Sequence, residues 1–160
     1  MNDIIKEFES LLIRMKKLDI KTDIEFEKEN FRIDSEGWKK KGEFLENDTK
    51  DVWELRKGDY AGEQLFTWEA AIRETKKAGK TMPTKDDFEK AFTDIIPDWP
   101  KAGNRFSDSG SMGVLGSYGN YWSSSINGAN AYNLNFNTGG VSPGNSSNRG
   151  NGFSVRCLKD

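Results

Sequence analysis

The sequence has no histidine and a single cysteine, Cys157. The first absence removes the commonest general base and the commonest metal ligand, and with them any Ser–His or Cys–His nucleophilic pair. One cysteine allows no internal disulfide and no thiolate metal cluster. No apolar run approaches the length of a membrane span, so membrane insertion is not expected. The opening residues, MNDIIKEFESLLIRMKK, carry Asp3, Glu7 and Glu9 and no continuous apolar core, and so do not read as a secretory signal. An excess of basic residues is missing too. The net charge is -2 with no long basic stripe, which argues against nucleic acid as a main partner.

What is present suits one compact domain with a small accessory segment. The 160 residues are 34% hydrophobic and 12% aromatic, enough for a real core. Charge is unevenly placed: between Lys101 and Lys159 there is no Lys, Glu or Gln, and the charged residues are Arg105, Asp108, Arg149 and Arg156. Two halves of such different composition point to two different jobs.

Residues 3–18 set Ile4, Ile5, Phe8, Leu11, Leu12, Met15 and Leu18 at helical spacing. This amphipathic helix needs a surface, either its own domain or a partner subunit in a homo-oligomer. Residues 19–50 read as short strands or loops anchored by Phe26, Phe31, Ile33, Trp38, Phe44 and Leu45. Two better-marked helices follow. Thr67 caps one whose buried face is Trp68, Ala71, Ile72 and Thr75, with Lys76 and Lys77 in the last turn and Gly79 as a left-handed stop. Thr84 caps the other, with Asp86 and Asp87 in its first turn and Phe88, Ala91 and Phe92 as its buried side. Pro97 and Pro100 forbid further helix.

From Ala102 onward the pattern is short strands and many loops. GNYWSSS and NAYNLNFN are the clearest strands; in the second, Tyr132, Leu134 and Phe136 alternate with Asn133 and Asn135. GFSVRCL closes the domain, with Phe153, Val155 and Cys157 on one face and Ser154 and Arg156 on the other. A disordered Asn/Ser/Gly tail would not keep this alternation. Carboxylate pairs such as Asp86 and Asp87 sit where helix starts carry acids. Gly139 and Gly140 lack the lysine and the strand-to-helix context of a phosphate loop. Cys157 reads as a small core residue. No enzyme is expected.

The helix pair followed by GNYWSSS, NAYNLNFN, VSPGNSSNRG and NGFSVRC resembles the variable proteins of diversity-generating retroelements, over about residues 52–160. These carry a C-type-lectin-like fold of the formylglycine-generating-enzyme subtype. The Fibrobacter major paralogous domain shares the YWSSS and GFSVRC frame. The resemblance implies an α+β fold in which two helices pack on short antiparallel strands, with a loop-rich C-terminal half and the N-terminal helix added. It divides the chain into an N-terminal helix and accessory segment, 1–50, and a C-type-lectin-like domain, 51–160, whose variable region covers about 104–150.

It also implies a mechanism of variation. Template adenines are randomised before the copy replaces the 3′ end of the gene, and Asn codons of the AAY type are the usual targets. Changing their first two bases gives Asn, Ser, Gly, Asp, Thr, Tyr, Ile, Val, Ala, Phe and a few others, but never Lys, Glu, Gln, Trp or Met. Residues 102–158 contain no Lys, Glu or Gln, and their only Trp and Met are Trp122 and Met112. The alternation assigns Trp122, Tyr132, Leu134, Phe136, Val141, Phe153 and Val155 to the fixed scaffold. The expected diversified, ligand-binding set is Phe106, Ser107, Gly113, Val114, Tyr118, Asn120, Ile126, Asn133, Asn135, Gly139, Gly140, Ser142, Gly144, Ser146, Ser147 and Gly150.

Calcium-dependent lectins of the wider fold carry Glu-Pro-Asn or Gln-Pro-Asp and a Trp-Asn-Asp motif. Here the proline lies in SPG at 142–144 and Trp122 is followed by Ser123 and Ser124, so no calcium or other cofactor is expected. The sulfatase-activating enzymes of the subtype need active-site cysteines, which one cysteine in the last strand does not supply. The expected function is hypervariable binding of a macromolecular ligand, a protein, by a rigid exposed patch. Phe106, Tyr118 and Tyr121 would be its aromatic anchors, with Asn, Ser and Gly as adaptable contacts. The alternative is a non-variable structural or adhesion module. Without a signal, the expected location is a viral particle or a cytoplasm.

Overall fold

The computed structural model describes residues 3–9 and 24–160, and residues 3–9 form a helical segment, α1, with Ile4, Ile5 and Phe8 exposed. The remainder of the helix expected over 3–18, with Leu11, Leu12, Met15 and Leu18, lies outside the described residues. The architecture is α+β, with three helices and three small antiparallel sheets among the described residues.

The first sheet is a meander of β1 (Lys39–Lys41), β2 (Phe44–Glu46), β3 (Val52–Leu55) and β4 (Gln64–Phe66), paired in that order. β2 pairs with β3 through Phe44 and Leu55, so a boundary at residue 50 would fall inside one sheet. Phe31, Ile33 and Trp38 pack against the same core as Val52 and Phe66, which makes residues 31–38 part of the domain body.

Thr67 accepts a hydrogen bond from the Ala70 N–H and opens α2, Trp68–Lys77. Gly79, at φ 68°, turns the chain away after the cap residue Ala78. Thr84 and Asp87 form a reciprocal capping box that opens α3, Lys85–Ala91. Both starts were legible because each places a hydroxyl in front of an apolar face.

The second sheet is the pair β5 (Asn104–Arg105) and β6 (Met112–Gly113). The third joins β7 (Gly119–Asn127), β8 (Asn130–Asn137) and β9 (Gly140–Asn148), with β8 central. β9 was not expected as a strand, because Gly, Ser, Asn and Pro143 are poor strand formers. It forms because the tight turn at Thr138 and Gly139 returns it along β8, helped by the Gly139 N–H donating to Asn137 Oδ1 at 2.8 Å. Pro143 is tolerated because β9 is an edge.

One face of this sheet is aromatic. Tyr121, Leu134 and Phe136 pack with Phe88 and Phe92, and Phe26 and Trp99 close the cluster. The Phe136 ring lies where a Gly119 side chain would stand, so β7 has glycine at that pairing. Trp122, Phe153, Val155, Ala70 and Ala71 form a second cluster with β3 and β4, and Trp53, Leu55, Leu65 and Ala102 a third.

Residues 152–158 run through the centre of all this. Gly152 bridges Arg105, Phe153 bridges Phe66, Ser154 bridges Tyr121, and Leu158 bridges both Phe26 and Thr81. Both sets of alternating residues in this segment are buried, Ser154 and Arg156 along with Val155 and Cys157. Arg156 donates to Asn30 Oδ1 at 2.8 Å and to the Glu27 carbonyl at 2.9 Å, and its guanidinium lies over the Trp99 ring at 4.8 Å. A segment in the middle of a fold has no solvent face to give to polar residues.

Candidate functional site

The polar residues of the third sheet decide what kind of surface this is. Register sets Asn120 beside Asn135, Trp122 beside Asn133, and Asn133 beside Asn145. Together they form the face opposite the aromatic cluster. Asn133 was expected to point to solvent, but it is fully buried. Its Oδ1 accepts from Asn145 Nδ2 at 3.2 Å and Ser147 Oγ at 2.9 Å, while its Nδ2 donates to Asn120 Oδ1 at 3.4 Å. Asn120, 6% exposed, also accepts from Asn135 Nδ2 at 2.7 Å. These amides therefore form a bonded floor, and residues 152–158 run beside β7 through the Ser154–Tyr121 bridge, with the Phe153 ring 4.2 Å from that of Trp122.

A depression of about 290 Å³ opens beside that floor, lined by Asn104, Phe106, Val114, Tyr118, Asn120, Asn135, Ser147, Asn151 and Phe153. A second, of about 470 Å³, continues from Tyr118 and Asn135 past Asn137 to Gly139, Gly140, Val141 and Ser142. Tyr118 and Asn135 line both, so the two make one groove along the β8–β9 turn. Phe106 and Val114 are 40% and 42% exposed at its rim. Ser107 and Gly150 lie side by side next to the rim, where the Ser107 N–H donates to Asn151 Oδ1 at 3.0 Å. Gly113 sits beneath the Phe106 ring, which occupies the space its side chain would need.

Three expected residues lie elsewhere. Ile126 is exposed at the opposite end of the β7–β8 hairpin. Ser146 pairs with Tyr132, whose ring faces Lys85 Nζ of α3 at 5.1 Å. Gly144 abuts Glu89 and Lys85. Tyr121, expected as an anchor, is fully buried and donates its hydroxyl to the Pro100 carbonyl at 2.7 Å, so it belongs to the core. Burial pushes its pKa well above the ordinary phenol value. Asn104, Asn145 and Asn151 were missed; nothing in their local pattern marks them apart from other loop asparagines.

Val114 departs from the fold's preferences. It adopts φ 50°, the left-handed region that β-branched residues avoid. Asn or Gly would be the ordinary occupant there.

No protein-family model, curated protein or solved structure matches this chain.

The groove's chemistry is therefore read from its own atoms. No acidic or basic side chain lines its first depression. Arg105, next to Asn104, stacks on the Trp53 ring at 3.9 Å, and burial lowers its pKa. Among the described residues no group of His, Cys, Asp and Glu side chains could hold a metal ion, and no helix is long and apolar enough to cross a membrane. Burial pushes the Cys157 thiol up to about 11, so it stays protonated at neutral pH. What the groove can do is offer neutral hydrogen bonds and apolar contact.

Proposed function

We propose that this chain is a hypervariable ligand-binding protein with a C-type-lectin-like fold, diversified by a retroelement and not an enzyme. Its ligand is a macromolecule, a protein, held at the groove around Tyr118. One observation carries the reading. Of the residues that the resemblance singles out, Phe106, Val114, Tyr118, Asn120, Asn135 and Ser147 line one depression. The strained Val114 supports it as well, since a side chain that its backbone disfavours is what substitution without regard to folding leaves behind. The groove joins aromatic rim to amide floor, the division of labour found in antibody paratopes.

The test is the DNA beside the gene. A reverse transcriptase gene and an imperfect repeat of residues 104–150, differing only at template adenines, are expected. Flanking DNA with neither would defeat the reading. A second reading, a non-variable structural or adhesion module, is favoured by the burial of Asn133, because a residue holding Asn145 and Ser147 is costly to vary. The repeat decides here too. Template AAY codons where this gene encodes Phe106, Val114 and Tyr118 fit diversification at the rim, and no repeat at all fits the module.

A further inference from the structure

Asn104 and Asn120 are each 6% exposed, and both line the smaller depression. The Asn104 carboxamide has no hydrogen-bond partner among the described residues. Asn120 engages its oxygen, which accepts from Asn133 and Asn135, and its Nδ2 has no partner among the described residues. Neither amide is among the side-chain atoms sealed from solvent without a partner, which are Arg105 Nε and Ser154 Oγ. The free atoms of Asn104 and Asn120 thus open onto the depression. Polar groups this deep ordinarily have a partner.

We infer that this depression is a subsite for an uncharged carboxamide, carried by an Asn or Gln side chain or by the main chain of the ligand. The inference rests on the ligand-binding reading above and specifies what the groove takes. Asn104 Oδ1 accepts, while Asn104 Nδ2 and Asn120 Nδ2 donate, so the best complement both donates and accepts. A carboxylate satisfies only the donors and an ammonium only the acceptor. Either would also lose hydration where no counter-charge lines the wall. The volume of about 290 Å³ admits one side chain or peptide unit, not a large cofactor. Phe106 and Val114 at the rim shield these bonds from water, which strengthens them.

The test uses nitrogen-labelled protein and four small probes: acetamide, N-methylacetamide, acetate and methylammonium, at equal ionic strength. The side-chain amide signals of Asn104 and Asn120 are expected to shift saturably with at least one of the two amides. That amide should bind at least about tenfold more tightly than either ion. Stronger binding of acetamide assigns a side-chain source, and stronger binding of N-methylacetamide a main-chain source. In Asn104→Leu, which breaks no bond seen among the described residues, the response should disappear while signals elsewhere stay in place. Equal binding by acetate or methylammonium, no response to either amide, or a response that survives in folded Asn104→Leu overturns the inference. If Asn104→Leu does not fold, the comparison of amides with ions in the unaltered protein still decides. Failure here leaves the repeat in the neighbouring DNA untouched, and absence of that repeat leaves the probe result untouched.

Discussion

The two faces of the β7–β8–β9 sheet each have a buried centre, Tyr121 on one and Asn133 on the other, yet opposite forces hold them. On one side Tyr121 and Phe136 stack at 5.8 Å and Trp99 and Tyr121 lie 5.0 Å apart, so apolar area and close packing do the stabilising. On the other, Asn120, Asn133, Asn135, Asn145 and Ser147 are joined by directional bonds, each of which contributes modestly but is costly to leave half-made. The lesson is that polar residues alternating with aromatic ones need not be surface. Here Asn120 and Asn133 form a small polar core of a different kind, and Asn135, Asn145 and Ser147 around them are half-buried.

The sharpest way to break this contrast is at Phe136. Phe136→Ala should destabilise the protein by about 3–5 kcal/mol, because the ring is nearly fully buried over Gly119 and its loss leaves a cavity. Denaturant unfolding measures this directly. Asn133→Ala should cost about 2 kcal/mol in the same assay, since it orphans Asn145 Nδ2 and Ser147 Oγ instead of emptying a large volume. If Asn133→Ala is neutral, the amide face is a surface after all and the comparison fails.

Acid should spare both faces and act elsewhere. Asp51 is bonded to Arg73 at 2.7 Å, tying the start of β3 to α2. Burial raises its pKa, but hydrogen bonds from Arg73, Thr49 and Asn47, with the Arg73 charge, outweigh this and hold it at about 2. A carboxyl depressed in the folded state stabilises above its unfolded pKa, and that contribution fades as pH falls from about 4 through about 2. Because Arg73 is partly exposed, about 1–2 kcal/mol is expected, and Asp51→Asn should flatten the stability profile across that window. The smallest effect should be a gain. Val114→Gly relieves the left-handed φ and should stabilise by about 0.5–1 kcal/mol in thermal melts while removing part of the groove's rim.

Much of the fold was legible in the sequence, because its signals are local. Thr67 and Thr84 announce helix starts, and Tyr132, Leu134 and Phe136 announce a buried strand face whatever lies around them. β9 was not legible, since GVSPGNSSN becomes a strand only by pairing with β8. The candidate site divides the same way. Phe106, Tyr118 and Asn135 line the groove. Asn133, Tyr121, Gly144 and Ser146 are placed by tertiary neighbours: Asn120, Asn145 and Ser147 hold Asn133, while α3, Trp99 and Phe26 lie on the other side. Alternation tells which residues share a face; it does not tell what lies on that face.

The bridges from Gly152 to Leu158 carry one more consequence. These residues leave the ribosome after everything they tie together, so none of the three sheets can reach its final seams until residues 104–150 have been read through in frame. A copy in which that region is shifted or cut short loses Phe153, Val155 and Arg156 together, and with them the cluster around Trp122 and the buried bonds to Asn30 and Glu27. On the proposed reading, folding itself then inspects each new version of the gene and leaves the broken ones to the cell's proteases before any ligand is met.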